Sequence, residues 1–202
     1  MSSGTWHRLS CMIDLRPATE RTISLATALA DDQLELPTPC GDERLGDLVD
    51  HLGIFAVRFV AAAGKDAEGS TPTPQRPSRA NLEPDWRDRI ARDLRALAEA
   101  WLDPQAWEGT TFAGGMEMPA AAVGLVALDE LVVHGWDIAV STGRPYQLPT
   151  QEIDAAMAFV ASFEAPRDGK LFGPIVPVAD DATALDRLLG LTGRDPGWRS
   201  PA

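Results

Sequence analysis

The apolar residues of the chain recur at helical spacing in five separate stretches. Within each stretch they fall at intervals of three and four residues, which places them on one face of an α-helix. The second stretch is the clearest, because Leu48, Leu52 and Phe55 belong to one continuous apolar stripe. The pattern predicts five main helices, over residues 13–30, 42–63, 85–102, 119–142 and 150–163.

Capping and breaking residues set the predicted helix boundaries. Asp42 can accept a hydrogen bond from the first turn of the second helix, and Thr150 can do the same for the fifth. Pro119 fits the first turn of the fourth helix. Gly143 follows the last predicted residue of that helix and is expected to stop it.

The segments between these helices carry different patterns. Residues 64–82 are polar and contain several prolines, which is typical of a loop. Residues 107–118 have Gly114-Gly115 near their centre, which favours either a short hairpin or an irregular crossing. The chain from residue 169 is rich in Gly, Pro and Asp, with one short helix predicted over 182–189. We therefore predict an all-α fold: a four-helix bundle with an additional helix, a short β-like crossing and a wrapping C-terminal tail.

The predicted organisation is a single domain with two flanking segments. Residues 1–11 have no apolar periodicity and are expected to form a disordered N-terminal extension. Residues 12–165 are predicted to form the helical bundle, and residues 166–202 a tail that packs on it. A chain of 202 residues is long enough for one such domain with a substantial core.

Composition narrows the classes of partner. The formal net charge of −12 gives no general electrostatic attraction for nucleic acid or for an anionic membrane. No apolar run approaches the roughly 18 residues of a membrane span, and residues 1–11 lack the apolar core of a secretory signal. The two cysteines, Cys11 and Cys40, make a disulfide framework unexpected. We therefore expect a cytoplasmic protein with reduced thiols.

The candidate chemistry lies with the histidines of the folded body. Glu130 and His134 are one helical turn apart and share one face of the fourth predicted helix, and Asp137 lies on that face as well. This helix is apolar nearly all round, which predicts that it is buried. Buried ionisable groups need partners, and a divalent metal satisfies both a carboxylate and a neutral imidazole. His51 on the second helix is a candidate third ligand.

The spacing leaves simpler interpretations open. Glu130 and His134 can form a hydrogen-bonded pair without a metal, and His51 can be a structural histidine. Asp47 can orient the His51 ring or stand in solvent in the first turn. Asp137 can hydrogen-bond a ligand residue or form a salt bridge to a neighbouring helix. Trp136 lies about 160° around the helix from His134, so we place it outside the site.

Several motifs together resemble one known family. These are Pro37-Thr38-Pro39-Cys40-Gly41-Asp42, Asp47-Leu48-Val49-Asp50-His51-Leu52, Leu128-Asp129-Glu130-Leu131-Val132-Val133-His134-Gly135-Trp136-Asp137 and Thr142-Gly143-Arg144-Pro145. They resemble the metal-binding domain of mycothiol-dependent maleylpyruvate isomerase, within the DinB/YfiT-like superfamily of four-helix metal bundles. The ending Leu191-Thr192-Gly193-Arg194-Asp195-Pro196 resembles that of short actinobacterial members of this group.

The resemblance implies that His51, Glu130 and His134 bind a divalent first-row metal, with zinc expected. It also implies that mycothiol or an equivalent thiol takes part. Glu43 departs from the pattern, since relatives tend to carry Trp there. In the isomerase a second C-terminal domain helps to form the substrate site, and none follows the bundle in this sequence. We therefore expect metal binding to carry over, and not the maleylpyruvate reaction.

The predicted function is that of a zinc-dependent thiol S-transferase or isomerase-like enzyme acting on small electrophiles. Two alternatives stay open: a metal-dependent hydrolase that uses the same site, and a non-catalytic bundle that acts through a protein partner. Arg58 is a candidate to bind the thiol cofactor, with a surface arginine as the alternative. We interpret Cys40 as a packing residue rather than a nucleophile, and we leave a homodimer open.

Overall fold

The computed structural model describes residues 12–70, 76–162, 167 and 172–200. These residues form six α-helices, one two-stranded antiparallel sheet and three short 3₁₀ segments. The helices are α1 (Arg16–Thr27), α2 (Leu45–Ala63), α3 (Trp86–Ala100), α4 (Ala120–Ser141), α5 (Thr150–Ala161) and α6 (Ala184–Thr192), the strands are β1 (Thr110–Ala113) and β2 (Met116–Pro119), and the 3₁₀ segments are Asp31–Glu35, Arg79–Asn81 and Pro104–Trp107.

Helices α1 to α4 make up the bundle. Both α1 and α2 pack against α3 and α4, so the four helices surround one apolar core, and nearly all of α4 is buried within it. Helix α5 packs on α4, and α6 packs on α5. The predicted all-α fold, with its additional helix and a C-terminal segment that packs on the bundle, is confirmed for the described residues. The predicted extension at 1–11 and the boundary at 165/166 lie outside them.

Helix α2 begins three residues later than predicted, and the proposed cap at Asp42 is wrong. Leu45 is its first residue, and the Asp47 carboxylate accepts the backbone N–H of Arg44 at 3.1 Å. A bridge between Pro37 and Arg44 keeps the intervening residues in a reversed turn, with Gly41 at φ +61°. This tertiary pairing outweighs the local capping preference of Asp42.

The other boundaries depart from the prediction by a few residues. The first helix, predicted over 13–30, is shorter: α1 spans Arg16–Thr27, and a separate 3₁₀ segment follows at Asp31–Glu35. Thr150 is the first residue of α5 and Pro149 precedes it as the N-cap, so the predicted cap at Thr150 is wrong by one position. Helix α4 ends at Ser141, and Gly143 follows at φ +65°, so the predicted stop is confirmed.

The crossing between α3 and α4 is a hairpin. Strands β1 and β2 pair in register, with Ala113 opposite Met116. Gly114 and Gly115 form the turn at φ +59° and +81°, a conformation that glycine adopts without strain. The hydroxyl of Thr111 donates to the carbonyl of Ala62 at 2.6 Å, which ties the hairpin to the end of α2. Among the helices of the described residues, none is long and apolar enough to cross a membrane.

A glycine pair offers a test of the packing around α4. A Cβ at Gly124 would lie 2.4 Å from Trp107 and 2.8 Å from Trp101, whereas a Cβ at Gly53 on α2 would meet only Ile90 at 3.6 Å. We expect Gly124→Ala to lower the free energy of unfolding by about 1–3 kcal/mol, because the two indole rings must shift in a packed core. Gly53→Ala should be neutral or stabilising by up to about 1 kcal/mol. Urea denaturation of both variants measures the difference, and equal stabilities would contradict this account of α4.

Candidate metal centre

The three predicted ligand residues meet at one point between α2 and α4. The Nε2 atoms of His51 and His134 each lie 3.0 Å from Oε2 of Glu130. The two imidazole rings approach edge to face, with centroids 4.9 Å apart. One nitrogen or oxygen atom from each of the three residues lies within 4.8 Å of the others. The spacing predicted the approach of Glu130 and His134, and the packing of α2 on α4 adds His51.

The local sequence of each helix explains why these polar side chains face inward. Leu48, Leu52 and Phe55 are buried on α2, so His51 at the edge of that stripe is carried to the interface with α4. The His51 side chain keeps 31% of its surface exposed, compared with 18% for Glu130 and 10% for His134. The site therefore has a buried side on α4 and an accessible side near His51.

Asp137 orients the imidazole of His134. Its Oδ2 lies 2.9 Å from Nδ1 of His134, which donates to it and leaves Nε2 directed at Glu130. Asp137 is fully buried, and it also receives the guanidinium of Arg194 through Nε at 3.0 Å and Nη2 at 2.9 Å. Asp137 therefore hydrogen-bonds a predicted ligand residue, and it also forms a salt bridge, although to the segment that follows α6 rather than to a helix as predicted.

A glycine after α6 brings Arg194 to the site. Gly193 ends α6 in the left-handed region at φ +88°, and the next residue bonds back through its N–H to the carbonyl of Leu189 at 2.9 Å. A Cβ at position 193 would come within 2.8 Å of the Cα of Gly173, so a side chain there would collide with backbone as well as strain the turn. The reversal directs Arg194 back across the surface of α4.

The ionisable groups of the site hold each other in charged forms. Burial opposes the ionisation of Glu130, but hydrogen bonds from His134 and His51 outweigh it, so the pKa of Glu130 lies well below its usual range. Burial likewise disfavours the charged His134, yet Asp137 and Glu130 outweigh it and raise the pKa of His134 to about 10. In the absence of a metal, protonated His134 and Arg194 together balance the carboxylates of Glu130 and Asp137.

This proton makes the stability of the metal-free protein depend on pH. The pKa of His134 rises from about 6.5 in the unfolded chain to about 10 in the fold. Its stabilising contribution is therefore complete below about pH 6.5 and is lost as the pH rises through about 10. Burial also raises the pKa of Asp129, to about 8, and this adds a slope of the same sign below that pH. The contribution of His134 is therefore read between pH 8 and 9, where we expect the free energy of unfolding in EDTA to fall by up to about 1.4 kcal/mol per pH unit. Denaturation at several pH values measures the slope, which should flatten in His134→Ala; a rise with pH would contradict it.

A cavity of about 500 Å³ opens beside the three residues. Its wall is formed by segment 39–43, by His51, by residues of α4, and by segments 172–173 and 192–194. Asp129 is one of the lining residues, and its Oδ1 is buried without a hydrogen-bond partner among the described residues. Burial, together with the charge of Glu130, raises the pKa of Asp129 to about 8. The carboxyl group of Asp129 is therefore mostly protonated at neutral pH.

Cys40 also lines the cavity, with its sulfur within 4.8 Å of ligating atoms of His134 and Asp137. Burial raises the pKa of the Cys40 thiol to about 12, so the side chain is protonated at neutral pH. A protonated thiol is a poor nucleophile. The interpretation of Cys40 as a packing residue agrees with this geometry. The residues that Cys40 lies against, His134 and Asp137, belong to the candidate metal centre.

The remaining candidates lie elsewhere. Arg58 is half-buried on α2 and is not one of the described residues that line the cavity. Asp47 accepts the backbone N–H groups of Arg44 and Arg79. It therefore caps the start of α2 and fixes the 3₁₀ segment Arg79–Asn81, and it does not orient the His51 ring. Trp136 is buried and, as predicted, is not among the described cavity residues.

Sequence reasoning missed Asp129 and Arg194 as residues of the site. A carboxylate at 129 in a helix that is apolar nearly all round was a usable signal, because such a group must find a partner or a ligand. The Thr192-Gly193-Arg194 segment contained a helix-ending glycine but nothing that indicated the destination of the arginine.

The donor set fits a divalent metal. Two imidazole nitrogens and one carboxylate oxygen already converge, and Asp137 selects the His134 tautomer in which Nε2 is available for coordination. Zinc commonly takes three such protein ligands in catalytic sites and keeps a further position open. The adjoining cavity would give a small molecule access to a metal held by these three residues.

Comparison with known proteins identifies the family and the fold that this chain resembles. The family profile described as the mycothiol maleylpyruvate isomerase N-terminal domain matches residues 15–139. Two uncharacterized proteins from strains of Mycobacterium tuberculosis are each 27% identical over 183 residues, covering 88% of this chain and 93% of their own. A crystal structure of the mycothiol-dependent maleylpyruvate isomerase superposes with a TM-score of 0.57 at 16% identity, covering 78% of this chain and 68% of that chain. Its histidine-to-alanine mutant gives a TM-score of 0.54.

Proposed function

Because the chain belongs to the mycothiol maleylpyruvate isomerase N-terminal domain family, we propose that it is a metal-dependent enzyme that uses a low-molecular-weight thiol. The thiol is mycothiol or an equivalent, and the metal is zinc. The reaction class is S-transfer to, or thiol-assisted isomerisation of, a small electrophile.

The convergence of His51, Glu130 and His134 at the wall of a cavity carries this proposal. A structural metal site is closed by four protein ligands, whereas three ligands beside a cavity leave room for an exogenous one. A bound zinc ion would keep a thiol deprotonated near neutral pH, which supplies a nucleophile. The sulfur then forms a bond to an electrophilic carbon; in a transferase the leaving group departs with its electron pair, and in an isomerase the new bond breaks again.

The residues of the site have different roles in this proposal. His51, Glu130 and His134 hold the metal, and Asp137 fixes the ring of His134 from behind. Arg194 neutralises Asp137 and so keeps that carboxylate ionised in a buried position. Segments 39–43 and 192–194 flank the cavity and limit the size of the ligand.

The test is the response of the cobalt-substituted protein to added thiol. N-acetylcysteine should produce a sulfur-to-cobalt charge-transfer band in the near ultraviolet, since thiolate enters the open position. The double variant Cys11→Ala/Cys40→Ala serves as the control, because the chain has no other cysteine and its band can arise only from the added thiol. A cobalt spectrum that thiol leaves unchanged in both proteins would contradict the proposal and favour a structural metal.

A further inference from the structure

The two histidines of the candidate metal centre are held to different degrees, and His134 is the more firmly held. Its side chain is 10% exposed, and its Nδ1 donates to the buried Asp137 at 2.9 Å. Asp137 is itself fixed by two hydrogen bonds from Arg194, from Nε at 3.0 Å and from Nη2 at 2.9 Å. Turning the His134 ring out of the site would leave a buried carboxylate without one of its donors, which is costly.

His51 has no comparable support. Its side chain is 31% exposed and its Nε2 lies 3.0 Å from Glu130, whereas its Nδ1 has no hydrogen-bond partner among the described residues. The ring stacks on Phe55 with centroids 6.4 Å apart, meets the ring of His134 edge to face, and borders the cavity. A histidine that binds a metal nearly always donates its second nitrogen to a carboxylate, a carbonyl or a water, and this bond fixes the ring. The protein supplies that bond to His134 and, within the described residues, supplies none to His51.

We propose that His51 is the exchangeable ligand of the metal centre, and that Glu130 and His134 are the permanent ones. A small molecule with two donor atoms, such as a thiol that also carries an amine or a carbonyl group, uses one donor for the open position and takes the place of His51 with the other. Release of the His51 ring costs no hydrogen bond at Nδ1 to any described residue, and the ring borders a cavity into which it can turn. This inference rests on the proposed function, because it states how the proposed site receives a thiol together with a second ligand atom.

The experiment follows the ring nitrogens of the zinc-loaded protein by NMR. The chain has three histidines, so isotope-labelled histidine gives few ring signals, and replacement of each histidine in turn assigns them. A zinc-bound Nε2 and a free Nε2 differ in nitrogen chemical shift. Cysteamine, which carries one sulfur and one nitrogen donor, is titrated near neutral pH, and the concentration that releases each ring is recorded. We expect His51 to be released at a concentration at least about tenfold lower than His134, since an orienting partner typically changes metal affinity about 10–100-fold.

Asp137→Asn tests whether the carboxylate of Asp137 is what holds His134. The variant keeps the shape of the side chain but weakens its hydrogen bond to Nδ1, so the gap between the two release concentrations should narrow severalfold. Glu152→Gln is the matched control, because Glu152 is also a buried carboxylate paired with an arginine and is not among the described cavity residues. It should keep the parent gap. If Asp137→Asn does not fold, the double variant Asp137→Asn/Arg194→Met replaces it, since it removes the guanidinium left without a partner.

The other outcomes are also decisive. Release of both rings together, release of His134 before His51, or an unchanged gap in the Asp137 variant would overturn the inference. So would retention of both rings at cysteamine concentrations that saturate the charge-transfer band of the cobalt protein, because the thiol then binds without displacing His51. Failure of the proposed function gives a different result: no thiol, cysteamine included, changes the cobalt spectrum of Cys11→Ala/Cys40→Ala, and this inference fails with it.

Discussion

Asp137→Asn is expected to lower the free energy of unfolding by about 3–5 kcal/mol, the cost of removing one partner from a buried ion pair. Asp137 is fully buried between His134 and Arg194, and the Arg194 side chain is only 13% exposed. Asparagine has nearly the same shape, so the loss is one of charge rather than of packing. Denaturation in urea measures it, with Asp154→Asn as the exposed control that should stay within about 0.5 kcal/mol of the parent.

A double variant tests whether the loss of stability comes from the Arg194 guanidinium that Asp137→Asn leaves without a partner. Adding Arg194→Met to Asp137→Asn removes the guanidinium that the single variant leaves unpaired, so the double variant should regain part of the lost stability. The expected coupling between the two positions is about 1–3 kcal/mol. Strictly additive losses would show that the ion pair does not account for the destabilisation. The same single variant should weaken metal binding about 10–100-fold, because Asp137 also orients His134.

The fold was largely predictable because its elements follow local rules. Helix α4 is apolar nearly all round, and this pattern alone predicted its burial. Gly114 and Gly115 predicted either a hairpin or an irregular crossing, and the structure shows the hairpin. The local rules failed at Asp42, where a bridge from Pro37 to Arg44 delays the start of α2. A tertiary contact of that kind leaves no trace in periodicity.

The candidate site was predictable in part. One helical turn separates Glu130 from His134, so their approach to each other follows from helix geometry. The position of His51 depends on how α2 packs on α4, which spacing does not encode; the sequence made His51 a candidate third ligand, and the family resemblance then implied that role. Arg194 is 57 residues from Asp137 in the chain, and the two are joined by the reversal at Gly193 and the packing of α6 on α5. No local pattern predicts such a contact.

The metal site itself is tested most directly at Glu130. Glu130→Gln is expected to weaken zinc binding by more than about 100-fold, beyond the 10–100-fold effect typical of residues that only orient a ligand. The carboxylate supplies the one negative charge among the three donors, and its Oε2 stands 3.0 Å from both histidine nitrogens. An amide has nearly the same shape but is a much weaker ligand. Metal content after purification without chelator or nickel resin, followed by competition with a chromogenic chelator, measures the change.

Glu152→Gln is the matched control for this variant. Glu152 is also a buried carboxylate, only 4% exposed, and it pairs with Arg21 at 2.8 Å on the α1–α5 side of the molecule. Its replacement should cost stability and leave zinc at parent levels. His134→Ala should lose zinc as Glu130→Gln does while the fold persists, because Asp137 keeps Arg194 as a partner. If the parent holds no zinc even after zinc is added back, the three residues are polar members of a structural bundle, and the enzymatic proposal fails with the metal.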